Sequence, residues 1–416
     1  GDHDCAVVPM HDLGFVARVR EENGEHRKGF KITVGGGTSI QPLIAQTLYE
    51  FVPVDDFLRV TEAVLRVFNR TAWLRRNKMK ARIKVLIHSE GIGSFQEQIE
   101  EELKEPWAQA YENRDHLLFF DDELADVLPE PIKGANNGQH DQAFQAWMAT
   151  NVVPQKQNGY NFVSVTVPQG DLSPSQFRGL ALIARTRASH RVRTTPEQNL
   201  MFRWVPDCHL YDLYKDLQSI NLAEGGLNQI TDTTSCPGTD TCKLGITSSM
   251  GVNRAVSEAL KDPNGHSQLL KDSLIKGMHI KMSGCPNGCG RHHIANIGFY
   301  GAAMKFDKRQ VPAYIIMLGG QYDDGNLRMA ERLNVRVPSK RVPEVVERFV
   351  RHYQAQRNTD EAFNAFVDRV GAESFEALIK DLSLPVTFDD EHMHEFIDWN
   401  QNQVYKLERG EGECMA

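Results

Sequence analysis

Three landmarks occur twice along this chain at a nearly constant spacing. The pairs are Phe30–Gly36 with Tyr314–Gly320, Val52-Pro53 with Val337-Pro338, and Gly91–Phe95 with Gly371–Phe375. Their offsets are 284, 285 and 280 positions, and each landmark is an apolar strand end or a glycine ahead of an amphipathic helix. Chance matching of glycine and helix signals is the alternative. The repetition favours a duplicated α/β unit, with the two copies related by a pseudo-twofold axis and a ligand site at their seam.

A unit of a different kind is expected between the two copies. Val163, Val165 and Val167 alternate with polar residues, which is typical of a half-buried strand. Ser173 has the N-cap residue type and Gln176 the reciprocal capping-box type, so a helix is predicted from there to about residue 189. This strand and helix resemble half of a ferredoxin-like sandwich, and the whole chain is therefore expected to have an α+β fold.

The length of 416 residues is too great for one ordinary core and indicates two or three domains. The expected boundaries are 1–150 for the first repeat, 151–206 for the ferredoxin-like half-domain, 207–385 for the second repeat and 386–416 for a C-terminal tail. Residue 1 falls in what the pattern indicates is mid-domain, without an initiator methionine, so further sequence is expected upstream.

Composition excludes several classes of partner. The formal net charge of −8 argues against a general nucleic-acid binder. No apolar run is long enough to predict a membrane span, and the polar start does not resemble a secretion signal. Clustered cysteines without such a signal indicate metal ligands in a reducing compartment, which points to the cytoplasm.

Four of the seven cysteines form two tight pairs. Cys236 and Cys242 give the spacing C-x5-C, and Cys285 and Cys289 give C-x3-C. Four thiolates from two loops are the ligands that a 4Fe–4S cluster takes, one for each iron. A structural zinc site is the main alternative, although its usual spacing is C-x2-4-C. Four buried thiols without a metal are a third reading. The spacing favours an iron–sulfur cluster and leaves zinc open.

The second pair lies in a run that resembles a known family. Met282–Arg291 is similar to the signature of the siroheme-dependent nitrite and sulfite reductases, and the upstream C-x5-C pair and Ile294–Gly301 agree with it. The resemblance covers roughly residues 1–385. It implies two siroheme-domain α/β units that alternate with two ferredoxin-like half-domains. The first of those half-domains, with further substrate-binding arginines, would precede residue 1.

The resemblance also implies cofactors and a reaction. Cys236, Cys242, Cys285 and Cys289 would hold the 4Fe–4S cluster, and Cys289 would also ligate the siroheme iron. The expected reaction is the six-electron reduction of sulfite to sulfide or of nitrite to ammonia, with a slight preference for sulfite from the run that ends at Arg291. A ferredoxin or a flavoprotein would donate the electrons. The alternatives are a 4Fe–4S electron-transfer module without siroheme and a zinc-binding module.

Basic residues are the candidates for holding the anionic substrate. Arg82 and Lys84 are two positions apart and would face the same side of a strand. They match the family's pair of basic residues at the substrate, which makes them the expected catalytic residues. A solvated basic face is the alternative, since this segment is rich in lysine and arginine.

Five further residues are expected at the cofactor. The glycine run Gly35, Gly36 and Gly37 follows a strand, and the family motif favours close approach of its backbone to the siroheme over a plain turn. Asn287 and Arg291 match family positions near the cofactor.

The remaining cysteines and histidines receive no cofactor role. His292 and His293 match no family ligand and are expected to make ordinary polar contacts. Cys5 and Cys208 are expected to be buried thiols, and Cys414 is left unassigned.

Overall fold

The computed structural model describes residues 4–77, 80–112, 141–262, 267–306, 308–323, 326–384, 387–408 and 410. Cys414 lies outside these residues. The strands are β1 Leu13–Glu22, β2 Glu25–Val34, β3 Gln46–Pro53, β4 Val152–Pro154, β5 Tyr160–Val165, β6 Val192–Thr194, β7 Leu200–Pro206, β8 Thr234–Ser235, β9 Ile280–Ser283, β10 Ile297–Phe306, β11 Arg309–Leu318, β12 Gln321–Asp323, β13 Asn326–Arg328 and β14 Glu331–Pro338.

The helices share an amphipathic pattern wherever they cover a sheet. They are α1 Phe57–Arg70, α2 Ala72–Arg76, α3 Ile83–Glu90, α4 Ile92–Glu102, α5 Pro106–Gln109, α6 Gln142–Asn151, α7 Pro174–Arg187, α8 Leu210–Ser219, α9 Ser249–Lys261, α10 Ser273–Lys276, α11 Val342–Gln356, α12 Phe363–Val370 and α13 Ala372–Leu378. Among the described residues, none of these helices is long and apolar enough to cross a membrane.

The first repeat is a three-stranded antiparallel sheet, β1-β2-β3, with helices on one face. Helices α1, α3 and α4 bury their apolar sides against β2 and β3, and Ile32, Val64 and Phe95 are completely inaccessible to solvent. This burial of aliphatic and aromatic area is the main favourable term for folding the unit.

The second repeat contains the same antiparallel arrangement in β10, β11 and β14, extended by the parallel strands β9 and β8 into a five-stranded sheet. Helices α9, α11, α12 and α13 cover it. Its core includes Phe349, Phe366 and Phe375, whose rings meet edge to face or near it. Such aromatic pairs add to the stabilisation from area burial alone.

The structure confirms the duplication that the three landmarks predict. Gly91 lies between α3 and α4 with φ +83° and ψ +154°, and Gly371 lies between α12 and α13 with φ +79° and ψ +157°. The turn after β2 is closed by the amide of Gly35, which donates to Asp12 O at 2.9 Å. The turn after β11 is closed in the same way, from Gly319 to Asn296 O at 3.0 Å.

The middle unit is a four-stranded antiparallel sheet in the order β4-β5-β7-β6. Ser173 and Gln176 form both bonds of the expected capping box at the start of α7. The buried cluster of this unit also takes in Trp147 of α6 and Leu213 of α8. The packing therefore extends the unit past the expected limits 151–206 on both sides, because each flanking helix needs this core to bury its apolar face.

Residues 387–408, here called the C-terminal strap, pack on the second repeat. Phe396 is fully buried, and Ile397 makes an isolated bridge with Val404. The Trp399 indole donates to Ser339 O at 3.0 Å, and Lys340 Nζ lies 3.9 Å from the centre of the same ring. The strap is thus part of the folded molecule rather than an unattached tail.

Candidate functional site

The two cysteine pairs lie on loops that follow neighbouring parallel strands. Strands β8 and β9 pair in parallel, with Ser235 opposite Met282. Cys236 comes directly after β8, and Cys285 follows β9 with only Gly284 between. Because neighbouring parallel strands end at the same sheet edge, the two loops emerge side by side.

Glycines allow these two loops to touch through their backbones. A Cβ atom on Gly284 would lie only 2.5 Å from Gly238 Cα and 2.6 Å from Thr247 O. Gly238 has φ +59°, in the left-handed region that favours glycine. The amides of Ile246 and Thr247 both donate to Gly284 O, at 2.8 and 3.1 Å. The first cysteine loop, residues 236–247, therefore folds around the start of the second, residues 284–291.

The sulfur of Cys236 lies in a buried polar environment. The amide of Gly284 donates to Cys236 Sγ at 3.1 Å, and Ser249 Oγ lies 3.3 Å from the same sulfur. Ser249 also donates to Cys236 O at 2.6 Å, which holds the cysteine backbone in place. Amide hydrogen bonds to sulfur stabilise the thiolate form and tune the reduction potential of a bound cluster.

The four cysteines differ in exposure. Cys236 and Cys285 are buried, Cys242 is half-buried and Cys289 is exposed. On one side of Cys289, Gly290 presses against β9, where a Cβ atom would lie 1.7 Å from Met282 O. The second cysteine loop is thus packed tightly at its base, while Cys289 faces outward.

The donor set fits a 4Fe–4S cluster. Within the described ranges, no three cysteine, histidine, aspartate or glutamate side chains are grouped tightly enough to ligate one metal ion. A cubane cluster needs a wider arrangement, with one thiolate for each of its four irons. Two loops at one sheet edge that together carry four cysteines, with a backbone amide donated to one of the sulfurs, provide that chemistry. The cluster would be held by Cys236, Cys242, Cys285 and Cys289.

A loop of the first repeat meets the second cysteine loop. Residues 35–41 form this loop, here called the glycine loop. Thr38 Oγ1 in it donates a hydrogen bond to Asn287 O of the second cysteine loop at 3.0 Å. His293 Nε2 lies 3.1 Å from Ser39 O, and a Cβ atom on Gly288 would lie 2.9 Å from Thr38 Cβ. The seam between the repeats therefore passes within two residues of the exposed Cys289.

The glycine run is closely packed by the protein itself. A Cβ atom on Gly35, where φ is +81°, would lie 2.8 Å from Ile87 Cδ1. One on Gly36 would lie 2.4 Å from Pro9 O, and one on Gly37 would lie 2.9 Å from Arg82 Nη2. The positive φ at Gly35 and the backbone contact at Gly36 explain the glycines at these two positions, whereas the neighbour of Gly37 is the end of a flexible side chain.

The expectation that Arg82 and Lys84 share a strand is wrong. Arg82 is the N-cap residue of α3 and Lys84 lies in its first turn, because the apolar residues that follow form a helical face buried in the first core. Both side chains nevertheless reach Gly37, whose Cβ would lie 3.0 Å from Lys84 Cδ. Arg82 binds Asp12 with two hydrogen bonds, from Nε at 3.0 Å and from Nη2 at 2.6 Å.

Lys84 is almost completely buried, with 5% of its surface exposed. Its Nζ donates to the carbonyl of Gln41 at 2.7 Å and to that of Thr38. Burial, and then the positive charge of Arg82, lower the pKa of Lys84 to about 8. The lysine therefore ties the glycine loop to α3.

His292 and His293 lie beneath the second cysteine loop rather than at the surface. Both are buried, with ring centroids 3.9 Å apart, and His292 Nδ1 lies 2.8 Å from Ser283 Oγ. Burial lowers the pKa of His293 to about 4, which keeps its ring neutral at physiological pH. The sequence alone did not predict that these two adjacent histidines are buried under the loop.

Arg291 takes a place that the sequence did not indicate. It lines a cavity of about 620 Å³, together with Lys281, His279, Asn296 and Asn364. Most of the lining belongs to the second repeat, so this space is called the cavity of the second repeat, although Asp4, Cys5, Val7 and Glu197 also border it. The backbone of Arg291 has φ +59° at the N-cap of a short 3-10 helix, the same conformation as Val7 with φ +56° in the first repeat.

The C-terminal strap also holds the first cysteine loop. Asp398 accepts hydrogen bonds from the amide of Ser248 at 2.8 Å and from Ser339 Oγ at 3.2 Å. Asn400 Nδ2 donates to Asp240 at 3.1 Å, and Tyr405 Oη donates to Ile246 O at 2.7 Å. Burial raises the pKa of Asp398 to about 6.

Sequence reasoning missed the residues that position the site: Asp12, Thr38 and Asp398. Asp12 stands 284 positions before Asn296, but this correspondence does not reveal its pairing with Arg82. Thr38 and Asp398 carry no pattern of their own, because their roles come from contacts between distant segments.

Comparison with known proteins agrees with this architecture. The model of the nitrite and sulphite reductase 4Fe-4S domain matches residues 1–107 and 226–386, the two repeats. The model of the nitrite/sulfite reductase ferredoxin-like half domain matches residues 153–220, between them.

Curated relatives and a solved structure cover most of the chain. It is 29% identical to sulfite reductase [ferredoxin] 1 of Mycolicibacterium paratuberculosis over 87% of this chain and 60% of that protein. It is also 29% identical to the ferredoxin–nitrite reductase of Synechococcus elongatus, over 84% of this chain and 61% of that protein. The structure of the Mycobacterium tuberculosis NirA protein matches with a TM-score of 0.68 and 28% identity, covering 88% of this chain and 61% of that one.

The chain thus spans about 60% of the length of these relatives. The matched family model takes in well over half of this chain, including all four paired cysteines. The chain belongs to the nitrite and sulphite reductase 4Fe-4S domain family.

Proposed function

We propose that this chain carries the 4Fe–4S cluster and the siroheme of a sulfite or nitrite reductase. The observation that supports this most directly is the position of Cys289, the exposed cysteine of the four, beside the seam between the repeats. An outward-facing thiolate has room for a second metal, whereas Cys236 and Cys285 are enclosed by their loops. Siroheme, when bound, would supply the iron at which the anion receives six electrons.

Residues of the first repeat would supply positive charge for the anion. Arg82 is the candidate for substrate contact, because its side chain is 40% exposed and Asp12 engages only its Nε and Nη2. Arginine suits this role, since its fork of N–H donors matches an oxyanion. Lys84 would act mainly by holding the glycine loop through the carbonyls of Thr38 and Gln41.

The glycine loop and Asn287 are the proposed border of the siroheme. Gly35, Gly36 and Gly37 begin the loop that reaches Asn287 across the seam. The place of Arg291 in the cavity of the second repeat supports a different role for that residue, which is developed below.

Sulfite and nitrite both remain substrates of the proposal. The run from Cys285 to Arg291 resembles sulfite reductases slightly more, while relatives named for each anion are equally similar at 29% identity. Those relatives' names specify ferredoxin, so ferredoxin is the proposed electron donor. A reducing compartment such as the cytoplasm would keep the four thiols available for iron.

The visible absorption spectrum tests the proposal. The chain is purified from a host that makes siroheme, and a Soret band with a longer-wavelength siroheme band is expected, both shifted by sulfite or nitrite after reduction. Broad iron–sulfur absorption alone would indicate an electron-transfer module. A colourless protein that contains zinc would overturn the proposal.

Cys289→Ser tests the bridging role. The variant is expected to lose the siroheme band and to alter the iron–sulfur absorption, because one thiolate serves both groups. Cys208→Ser is the matched control, since Cys208 lies in the ferredoxin-like unit and is only partly exposed. A normal siroheme spectrum in Cys289→Ser would show that the bridge is assigned to the wrong residue.

A further inference from the structure

The cavity of the second repeat contains two cations without carboxylate partners. Lys281 is 9% exposed, and its Nζ is hydrogen-bonded to Thr234 Oγ1 at 3.3 Å. Arg291 lines the same cavity. Among the described residues, neither cation lies within 4.0 Å of a carboxylate oxygen, although Asp4, Glu197 and Asp323 also line the space.

Two like charges that share a partly buried space repel each other, and Glu197 and Asp232 offset the charge of Lys281 only through space, without an ion pair among the described residues. Asp232 instead accepts hydrogen bonds from the side chain of Asn199 and from the amide of Asn228, each at 3.0 Å. An anion between Lys281 and Arg291 would accept hydrogen bonds from both side chains and reduce the repulsion between their charges.

The repeat shows why a cavity exists here. Asn296 and Gly320 stand 284 positions after Asp12 and Gly36, while Ala362 and Asn364 stand 280 positions after Arg82 and Lys84. In the first repeat this place is closed by the Arg82–Asp12 ion pair and by the buried Lys84. In the second repeat the counterpart of Arg82 is Ala362, whose small side chain does not fill the corresponding space.

The walls of the cavity are held by neutral hydrogen bonds. Asn296 Nδ2 donates to Asn364 Oδ1 at 3.0 Å, and Asn364 Nδ2 donates to Gly320 O at 3.1 Å. The amide of His279 donates to Asn296 Oδ1 at 2.7 Å. The cations that line this cavity are therefore Lys281 and Arg291, and they do not stand at the positions that carry the cations in the first repeat.

We propose that this cavity is a second anion site, which binds an oxyanion group between Lys281 and Arg291. Phosphate, sulfate and carboxylate groups share the chemistry that these two donors recognise. The volume of about 620 Å³ accommodates an organic anion as well as an inorganic one. The site does not depend on the proposed cofactors, since neither the glycine loop nor the four paired cysteines line it.

Calorimetric titration of the full chain tests the site, with inorganic phosphate in one arm and citrate in the other. Lys281→Met and Arg291→Met are each expected to weaken binding by about tenfold or more, because a charged hydrogen bond is lost. Arg332→Met is the matched control, since Arg332 is an exposed cation of the same repeat that does not line the cavity. Tighter binding of citrate than of phosphate would identify an organic carboxylate as the ligand class.

Ala362→Glu provides a second variant that leaves both cations in place. A carboxylate on the cavity wall would compete with the anion, so binding is again expected to weaken. Phosphate and citrate affinities that stay unchanged in all three cavity variants would overturn the site. Loss of the siroheme band in Arg291→Met with unchanged titrations would also overturn it, because Arg291 would then hold the siroheme.

Discussion

Lys84 illustrates how a single residue acquires its role from packing. Its neighbours in the sequence are mostly charged, and such a run normally indicates a solvated face. The structure instead buries Lys84 beneath the glycine loop, where two carbonyls accept hydrogen bonds from its Nζ and Arg82 carries a second positive charge nearby. The sequence could therefore single out Lys84 as a candidate site residue, but it could not show that the side chain is buried.

The lowered pKa of Lys84 predicts a specific pH dependence of stability. The folded-state pKa of about 8 lies below 10.5, the ordinary pKa of a lysine, so between these values the unfolded chain binds more protons. Stability should therefore rise with pH across this window. From about pH 7.5 to about pH 9.5, the free energy of unfolding of the wild type should gain about 2 kcal/mol relative to Lys84→Met.

Urea unfolding at the two pH values measures this difference. Lys80→Met serves as the control, because Lys80 is an exposed lysine just ahead of the same helix. Parallel pH profiles for the wild type and Lys84→Met would contradict the prediction.

Among site residues, the cysteines were the most accessible to sequence reasoning. Their spacing alone indicated two ligand loops, and the structure places both loops at one sheet edge. Asp12 was missed because a lone acidic residue has no spacing to reveal its partner, and Arg82 lies 70 positions away. Pairing of this kind is a property of the tertiary fold.

At the scale of elements, the junction between consecutive helices is closely copied in the two repeats. Gly91 and Gly371 have nearly the same φ and ψ, in a region that is almost restricted to glycine. A Cβ atom at either position would meet nothing within 4 Å. Any cost of substitution there comes from backbone strain and not from a clash.

Gly91→Ala and Gly371→Ala should therefore destabilise the chain by similar amounts. The expected loss in the free energy of unfolding is about 1–3 kcal/mol for each. Gly93→Ala is the control, because Gly93 lies inside α4 with equally open space, and alanine is favoured in a helix. Denaturant unfolding measures all three. A large loss in one junction variant and none in the other would show that the two junctions are not equivalent.

The C-terminal strap is an element that sequence patterns left unassigned. Its polar residues accept or donate bonds to segments up to 160 positions away. No periodicity indicates such contacts, whereas the Ser173 cap of α7 was predictable because its partner is three residues away. The strand expected at Arg82 and Lys84 failed for a related reason, since a short apolar run does not distinguish a strand from a helix.

Asp398→Ala should loosen the strap and with it the first cysteine loop. The variant removes the acceptor for Ser248 N and Ser339 Oγ. Release of iron to a chelator from the loaded protein should accelerate by about tenfold, given the usual strength of hydrogen bonds to a charged group. Asp390→Ala, at an exposed position of the same strap, should leave the rate unchanged. Equal rates of iron release in the two variants would show that the C-terminal strap does not stabilise the cluster.

At the scale of the whole molecule, the repeats divide the proposed site between them. The second repeat contributes all four paired cysteines, and the first contributes Arg82, Lys84 and the glycine loop. The duplication was visible in the sequence because strand ends and helix starts recur at fixed offsets. How the two copies meet was not, because the seam depends on side-chain contacts such as Thr38 with Asn287.

Thr38→Val should lower the siroheme content of the protein with little change in the stability of its fold. Valine keeps the shape but removes the hydrogen bond to Asn287 O, so the seam beside Cys289 loses a contact between the repeats. The siroheme-to-protein absorbance ratio should fall, while the free energy of unfolding changes by only about 1 kcal/mol. Thr61→Val is the matched control, because Thr61 Oγ1 donates to Phe57 O within α1 alone. An equal absorbance ratio in both variants would contradict a role for the seam.

The turns that close each repeat are made by backbone atoms. Gly35 donates to the carbonyl of Asp12, and Gly319 donates to that of Asn296, so the side chain at either acceptor position is not needed for the turn. After a gene duplication, such a scaffold tolerates mutation at these positions without unfolding. The two copies therefore carry different side chains on the same scaffold, an ion pair of Asp12 with Arg82 in one and the neutral Asn296 and Ala362 in the other, so one duplicated fold provides two chemically different places.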